Sequence, residues 1–130
     1  MIISKRQGIK GIETKSILGL VNLGEEDIKI KKIEVSVSFD AEVYLYYVPI
    51  ENIAELTPSG IVPYGKNENV TILSDLALTE KVEPIKSFVF KGTYPIVTQL
   101  DNLLVSSTYG IVIRVKTYNS NSIISANIII

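Results

Sequence analysis

Tyr109-Gly110-Ile111-Val112-Ile113-Arg114-Val115-Lys116-Thr117-Tyr118 is the stretch whose reading decides the fold. In an extended chain, successive side chains point to opposite sides. Ile111, Ile113, Val115 and Thr117 then face one way, and Val112, Arg114, Lys116 and Tyr118 the other. One face is apolar and the other mixed, which is the period of a half-buried strand and not of a helix. Asn119-Ser120-Asn121 then reverses the chain into the apolar run Ile123 to Ile130. On the other side, Ser106-Ser107-Thr108 separates the stretch from Leu103-Leu104-Val105, and Gln99-Leu100-Asp101-Asn102 reads as a turn after Tyr94 to Val97.

The same alternation runs toward the N-terminus. Ile17, Leu18, Leu20, Val21 and Leu23 read as a first buried strand, ended by the turn chemistry of Asn22 and Gly24. Ile28 and Ile30 start a second apolar face, and Ile33, Val35, Val37 and Phe39 continue it one residue out of phase. A one-residue slip flips every side chain, so a bulge is expected near Lys31-Lys32. Asp40-Ala41 turns the chain into Val43, Leu45 and Tyr47, a strand apolar or aromatic on both faces and therefore central. Val70 and Ile72 mark another strand, and Lys81 to Lys91 alternates again, with Pro84 at an edge or a strand start. The inward faces predict a core of Leu18, Leu20, Ile33, Val35, Val37, Val43, Leu45, Val105, Ile111, Ile113 and Val115.

Many short strands at roughly ten-residue spacing imply an all-β chain, a single antiparallel β-sandwich with a jelly-roll-like arrangement. Residues 1–12, with Gly8 and Gly11, read as an extended N-terminal arm, and residues 13–130 as the one sandwich domain. Residues 49–69 break the pattern with Pro49, Pro58, Gly60, Pro63 and Gly65. They read as a long connection, with one helical turn between Glu51 and Leu56, that projects from the sandwich and meets a partner. The chain of 130 residues is long enough for a core without disulfides, and 46% hydrophobic residues suit a globular protein. No apolar run reaches the ~18–20 residues of a membrane span, so none is expected. Met1-Ile2-Ile3 runs at once into Lys5 and Arg6, which predicts synthesis without a signal peptide.

The chemistry-bearing residues are few. Cysteine and histidine are absent. Thiol, Ser–His and His-ligated metal chemistry therefore have no residues to use. Glu25-Glu26-Asp27 lacks the alternate spacing and glycine of a calcium loop and reads as a solvated turn. Asp75 and Asp101 are isolated, and Gly60, Gly65 and Lys66 lack phosphate-loop spacing. On these grounds the chain reads as not an enzyme, with no cofactor and no metal. A formal net charge of −1 provides no global field for polyanions. The basic Lys5, Arg6, Lys10 and Lys15 read as solvated, so nucleic acid is not an expected partner. Tyr44-Leu45-Tyr46-Tyr47 puts Tyr44 and Tyr46 on one face, which fits cross-strand core packing or a subunit contact before an aromatic platform for carbohydrate.

Several segments resemble small β-sandwich structural proteins of virions, found in tails, nozzles, decorations and capsids of phages and archaeal viruses. They are Ser16 to Asn22, Ile33 to Tyr47, the Pro–Gly connector Ile61 to Lys66, Asp101 to Ser107 and Gly110 to Val115. The isoleucine-rich style resembles viruses of thermophilic archaea. This resemblance implies a structural virion protein, made in the host cytoplasm and localised to the virion, that self-assembles and contacts other virion proteins. It transfers no catalytic residue. The candidate interface is Tyr44, Tyr46, Tyr64, Ile128, Ile129 and Ile130, with the apolar C-terminal strand expected to pair across subunits. The alternative is a carbohydrate- or receptor-binding sandwich that uses Tyr44, Tyr46 and residues 49–69.

Overall fold

A computed structural model describes residues 2–55, 58–64, 67–73, 77–78, 83–90, 96–119 and 121–130, and the side chains of 2–52, 83–89, 103–119 and 121–130 among them. In chain order the strands are β1 (Ile2–Lys10), β2 (Thr14–Asn22), β3 (Ile28–Val37), β4 (Ala41–Pro49), β5 (Ile53–Glu55) and β6 (Pro58–Tyr64). They continue with β7 (Asn67–Leu73), β8 (Ala77–Leu78), β9 (Lys86–Phe90), β10 (Ile96–Val105), β11 (Tyr109–Thr117) and β12 (Asn121–Ile129). Two sheets form the body, one ordered β1-β12-β3-β10 and the other β6-β7-β2-β11-β4-β9; β5 and β8 make a separate ribbon. Every pairing is antiparallel.

The pairing has a simple rule. Ile2 lies opposite Ile129, Gly19 opposite Val112, Val35 opposite Ile96 and Ala41 opposite Phe90. The two residue numbers add to the same total in all four. The chain is thus one long hairpin, doubled back on itself near β4–β9 and rolled so that successive hairpin segments alternate between sheets. That is the jelly-roll solution, eight strands in two four-stranded layers. Here β6 and β7 extend one layer beyond β2.

The layers pack through one continuous core. Ile3, Ile9, Ile28, Ile33, Ile124 and Ile128 come from the first sheet, and Leu18, Leu20, Val43, Leu45, Ile111 and Ile113 from the second. Every inward residue predicted above is buried. The slip at Lys31-Lys32 is also present. Ile30 and Ile33 are both buried, and the β3–β10 register shifts there, between Leu103 opposite Ile30 and Gln99 opposite Lys32. A second irregularity interrupts β2 against β11, where Leu18 pairs with Ile113 and Ser16 with Arg114. Ile17 is the extra residue, so Ile17 and Leu18 both enter the core.

Four expectations are corrected. Residues 2–10 are not an arm outside the domain but β1, an edge strand of the sandwich, because alternate Ile3 and Ile9 cap the core. Gln99 to Asn102 is not a turn; β10 runs through it with a bulge, since its register to β3 resumes at Leu103. The described residues of 49–69 (49–55, 58–64 and 67–69) are not a loop. They hold the 3-10 turn Ile50–Asn52, then β5, β6 and the start of β7. Pro58 and Pro63 are accommodated because β6 is an edge strand and both lie at register shifts, where no ladder donor is needed. Gly65 and Lys66 lie outside the described residues. Finally, β12 is an interior strand between β1 and β3, not a lent edge. Its Ile128 and, just past its end, Ile130 are 0% and 4% exposed, because they fill the molecule's own core.

Two corners close one long end of the sandwich and the other. Gly11 turns β1 into β2 at φ 78°, a left-handed conformation that glycine adopts without a Cβ clash. The buried Thr117 hydroxyl donates to the Gly11 carbonyl at 2.9 Å. At the opposite corner Thr108 has φ 66° and is held by hydrogen bonds to Asn22 and Ile50, both 2.9 Å. Among the described residues no helix is long and apolar enough to cross a membrane.

Candidate functional site

Register places the outward side chains of the six-stranded sheet in rows. Lys116 lies opposite Glu42, and Glu42 opposite Val89; Arg114 lies opposite Tyr44, and Tyr44 opposite Ser87. The next positions are Val112 opposite Tyr46 and Gly110 opposite Val48. Toward the Val48 end the face is apolar. Val21, Tyr46, Val48 and Val112 form a second buried cluster, with Tyr44 and Ile50 packed against it. Toward the Glu42 end the face is polar. Strand alternation does both jobs, because β4 sends Val43 and Leu45 into the core and Glu42, Tyr44 and Tyr46 outward.

Glu42 is the centre of the polar end. The Tyr44 hydroxyl donates to one carboxylate oxygen, and Tyr118 is a second phenol hydrogen-bonded to the carboxylate. These two hydrogen bonds, with the nearby Lys116 ammonium, hold the Glu42 carboxyl below the ordinary carboxylate range. The reciprocal effect falls on the phenols. The hydrogen bond to Glu42, together with burial, pushes Tyr44 up to about 12. Tyr118 rises for the same first reason. Lys116 Nζ also sits 5.3 Å from the Tyr118 ring centroid, a cation–π distance. Between β4 and the edge strand β9 a half-open cavity of about 210 Å³ is lined by Glu42, Tyr44, Ser87, Phe88 and Val89.

The sign of the linkage gives a direct check. A raised phenol pKa means that the folded state favours neutral Tyr44. Its contribution is complete below the ordinary value of about 10 and is lost as pH rises through about 12. Alkaline titration followed by tyrosinate absorbance should show one late component that Tyr44→Phe removes and Glu42→Gln moves back toward the others. Persistence of that component in both variants would assign it to another tyrosine.

The candidate residues fare differently. Tyr44 and Tyr46 do share the outer face, as alternation predicts. Tyr46 is only 7% exposed and packed among valines, so the pair is not an open platform of two rings. Tyr64 lies in β6, and its side chain falls outside the described residues. Ile128 and Ile130 are in the core, whereas Ile129 is half-buried on the outer face of the four-stranded sheet, between Ile2 and Lys32. Sequence reasoning missed Glu42, Ser87, Lys116 and Tyr118 as one group. Glu42 and Tyr44 share a strand face and Lys116 and Tyr118 another; only the pairing of β4 with β11 brings the two together. Among the described residues no three acidic, histidine or cysteine side chains gather into a metal-binding group.

The chain matches no known protein family and no curated protein. Its fold is similar to solved structures at low identity. Hydroquinone 1,2-dioxygenase from Sphingomonas sp. TTNP3, with 4-hydroxybenzoate bound, matches at 11% identity and a TM-score of 0.40 over 98% of this chain and 59% of the enzyme's. Hydroquinone 1,2-dioxygenase PnpCD, in complex with Cd2+ and 4-hydroxybenzonitrile, matches at 8% and 0.40 over 99% and 58%. The Yersinia pseudotuberculosis-derived mitogen matches at 11% and 0.42, over 100% of this chain and 86% of the mitogen. The chain thus spans under two thirds of either dioxygenase chain. Two of these similar structures are enzymes, so the expectation that the chain is not an enzyme is withdrawn. That expectation rested on missing histidine and cysteine, and the likeness itself is one of fold alone.

Proposed function

We propose that the chain is a structural virion subunit that self-associates through the outer face of its four-stranded sheet, as part of a viral tail, nozzle or capsid. The observation that carries this reading is apolar exposure on that face. Ile2 is 63% exposed, Ile123 47% and Leu104 46%, and the half-buried Ile129 lies beside Ile2. All four alternate with inward residues of β1, β12 and β10, so the sandwich's own core has no use for them. Ile2, Ile129 and Leu104 lie toward the Lys29–Lys32 end of the face and Ile123 toward the Ser38 end, and large apolar side chains left exposed along one sheet face mark an interaction surface. Polar groups sit among them: Lys32 reaches Glu34 at 3.1 Å, and Asn127 donates to Glu34 at 3.2 Å. A mixed face of this kind suits a subunit contact, with apolar anchors among polar groups that fix register. Lys5, Arg6 and Lys10 on the edge strand β1 favour face contact over continuation of the β-ladder, because edge charges oppose strand addition.

Fold-level analogy points the same way, since jelly rolls are a capsid architecture as well as a lectin one. The test is the mass of the purified chain by light scattering, with negative-stain microscopy of the same sample. The expected result is a defined oligomer that forms closed rings or shells. Ile123→Lys combined with Leu104→Lys should yield a monomer with unchanged melting temperature, because both positions are exposed. A wild-type monomer at about 100 μM, well above the dissociation constants of stable assemblies, sinks the reading. So does a double variant that assembles normally.

A further inference from the structure

We propose that the half-open cavity between β4 and β9, lined by Glu42, Tyr44, Ser87 and Val89, binds a single neutral sugar ring. The site lies on the opposite sheet from the proposed subunit contact and does not depend on it. Four features select this ligand class.

The first is size. A cavity of about 210 Å³ lies below the ~300–1,000 Å³ range of pockets for drug-sized ligands, so one small ring fits and an extended ligand does not. The second is hydrogen-bonding capacity. An ionised carboxylate offers about four acceptor positions. Tyr44 and Tyr118 take up part of that capacity on Glu42, and the remainder can accept from ligand hydroxyls. Ser87 faces the same cavity and both donates and accepts. Among the described residues β9 pairs with β4 alone, so its other edge offers backbone donors and acceptors beside the cavity.

The third feature is the apolar flank. Tyr44 is half-buried, and Val89 is 72% exposed, directly across the ladder from Glu42. A sugar ring presents C–H groups on its faces and hydroxyls at its rim, which matches an aromatic and an aliphatic wall around a carboxylate. The fourth is charge. Lys116 lies opposite Glu42 and offsets its charge nearby, but the charged group that lines the cavity itself is the Glu42 carboxylate. An anionic sugar would meet that carboxylate at short range and is disfavoured. A polyhydroxyl ring without charge loses nothing there. Because Glu42 is already oriented by two phenols, little side-chain freedom is lost on binding, yet a site open on one side keeps the affinity weak.

The experiment is a titration of the full chain, followed by backbone amide shifts, with D-glucose, D-galactose, D-mannose and N-acetyl-D-glucosamine. Glycerol and N-acetylneuraminic acid serve as controls. At least one neutral sugar is expected to saturate shifts at Glu42, Tyr44, Ser87 and Val89, with a dissociation constant on the order of 1–10 mM. Glycerol and the acidic sugar should not saturate. Glu42→Gln and Ser87→Ala should each weaken the binding by about tenfold, the loss of one good hydrogen bond. Ser87 is exposed on an edge strand, so Ser87→Ala retains the fold and keeps the test valid if Glu42→Gln does not. Absence of saturation by any neutral sugar up to about 100 mM, far above the expected constant, overturns the proposal. So does binding that Ser87→Ala leaves unchanged, or equal saturation by glycerol. Failure here with intact assembly, or the reverse, separates this site from the subunit contact.

Discussion

A chain that stops at Asn121 is expected not to fold. The deletion removes Ser122 to Ile130 and with it nearly all of β12, which lies between β1 and β3 in the four-stranded sheet. Three consequences add up. Ile124, Ile128 and Ile130, each 4% exposed or less, leave the core together with Ala126. Full burial of one such side chain is worth about 1.5–3 kcal/mol. β1 then loses its ladder, because among the described residues β12 is the strand it pairs with, and Ile3 and Ile9 lose the strand that holds them inward. The outer ladder of β3, from Lys32 to Val37, is bared as well. A domain of this size is stable by only about 5–15 kcal/mol in total. Loss of the isoleucines alone approaches that margin, before any hydrogen bond is counted. Far-UV circular dichroism and amide dispersion of the truncated chain should therefore report an unfolded or molten product. A folded monomer with a cooperative melt would instead mean that β12 is dispensable to the monomer and belongs between subunits.

That outcome could not be read from the sequence, and the reason is physical. Alternation is a property of one strand, so it exposed the inward faces of β2, β3, β4 and β11 and even the slip at Lys31-Lys32. Where a strand sits in a sheet depends on partners far away in the chain. Ile123 to Ile130 is apolar on both faces whether it is an edge or interior, and only its pairing with Ile2–Lys10 on one side and β3 on the other decides. Proline and glycine in residues 49–69 signal an interrupted ladder, which a loop and an edge strand share. Gln99 to Asn102 has turn composition, yet the strand carries it as a bulge because Ile96 and Leu103 both have places opposite β3. The candidate site divides in the same way. The common face of Tyr44 and Tyr46 followed from spacing, but the approach of Lys116 and Tyr118 to Glu42 spans more than 70 positions of chain and follows only from the roll.

Asn22 shows how much a residue read as turn chemistry can carry, and Asn22→Leu is expected to destabilise the protein by about 3–6 kcal/mol. The side chain is fully buried at the end of β2. Its Oδ1 accepts from the Gly24 amide at 3.0 Å, the two-residue Asx turn that the sequence signals. Its Nδ2 does something the sequence does not signal. It donates to the Val105 carbonyl at 2.8 Å and to the Glu26 carbonyl at 2.8 Å. Val105 ends β10 in the other sheet, so this one amide ties the two layers together at the corner where Thr108 is held in its left-handed conformation. Leucine nearly matches the volume but leaves three backbone groups without this partner, at about 1–3 kcal/mol for each buried group affected. Asn22→Asp keeps the shape and the Gly24 contact while it turns a double donor into an acceptor aimed at two carbonyls. Its loss should equal or exceed that of leucine at neutral pH and shrink as the pH falls toward about 4, the ordinary aspartate pKa, because the buried acid then takes up its proton and can again donate to one carbonyl. Urea unfolding of the three chains at two pH values measures both effects. A loss under about 1 kcal/mol for Asn22→Leu, the typical net worth of a single hydrogen bond, would mean that the corner is held by its backbone contacts and not by the asparagine.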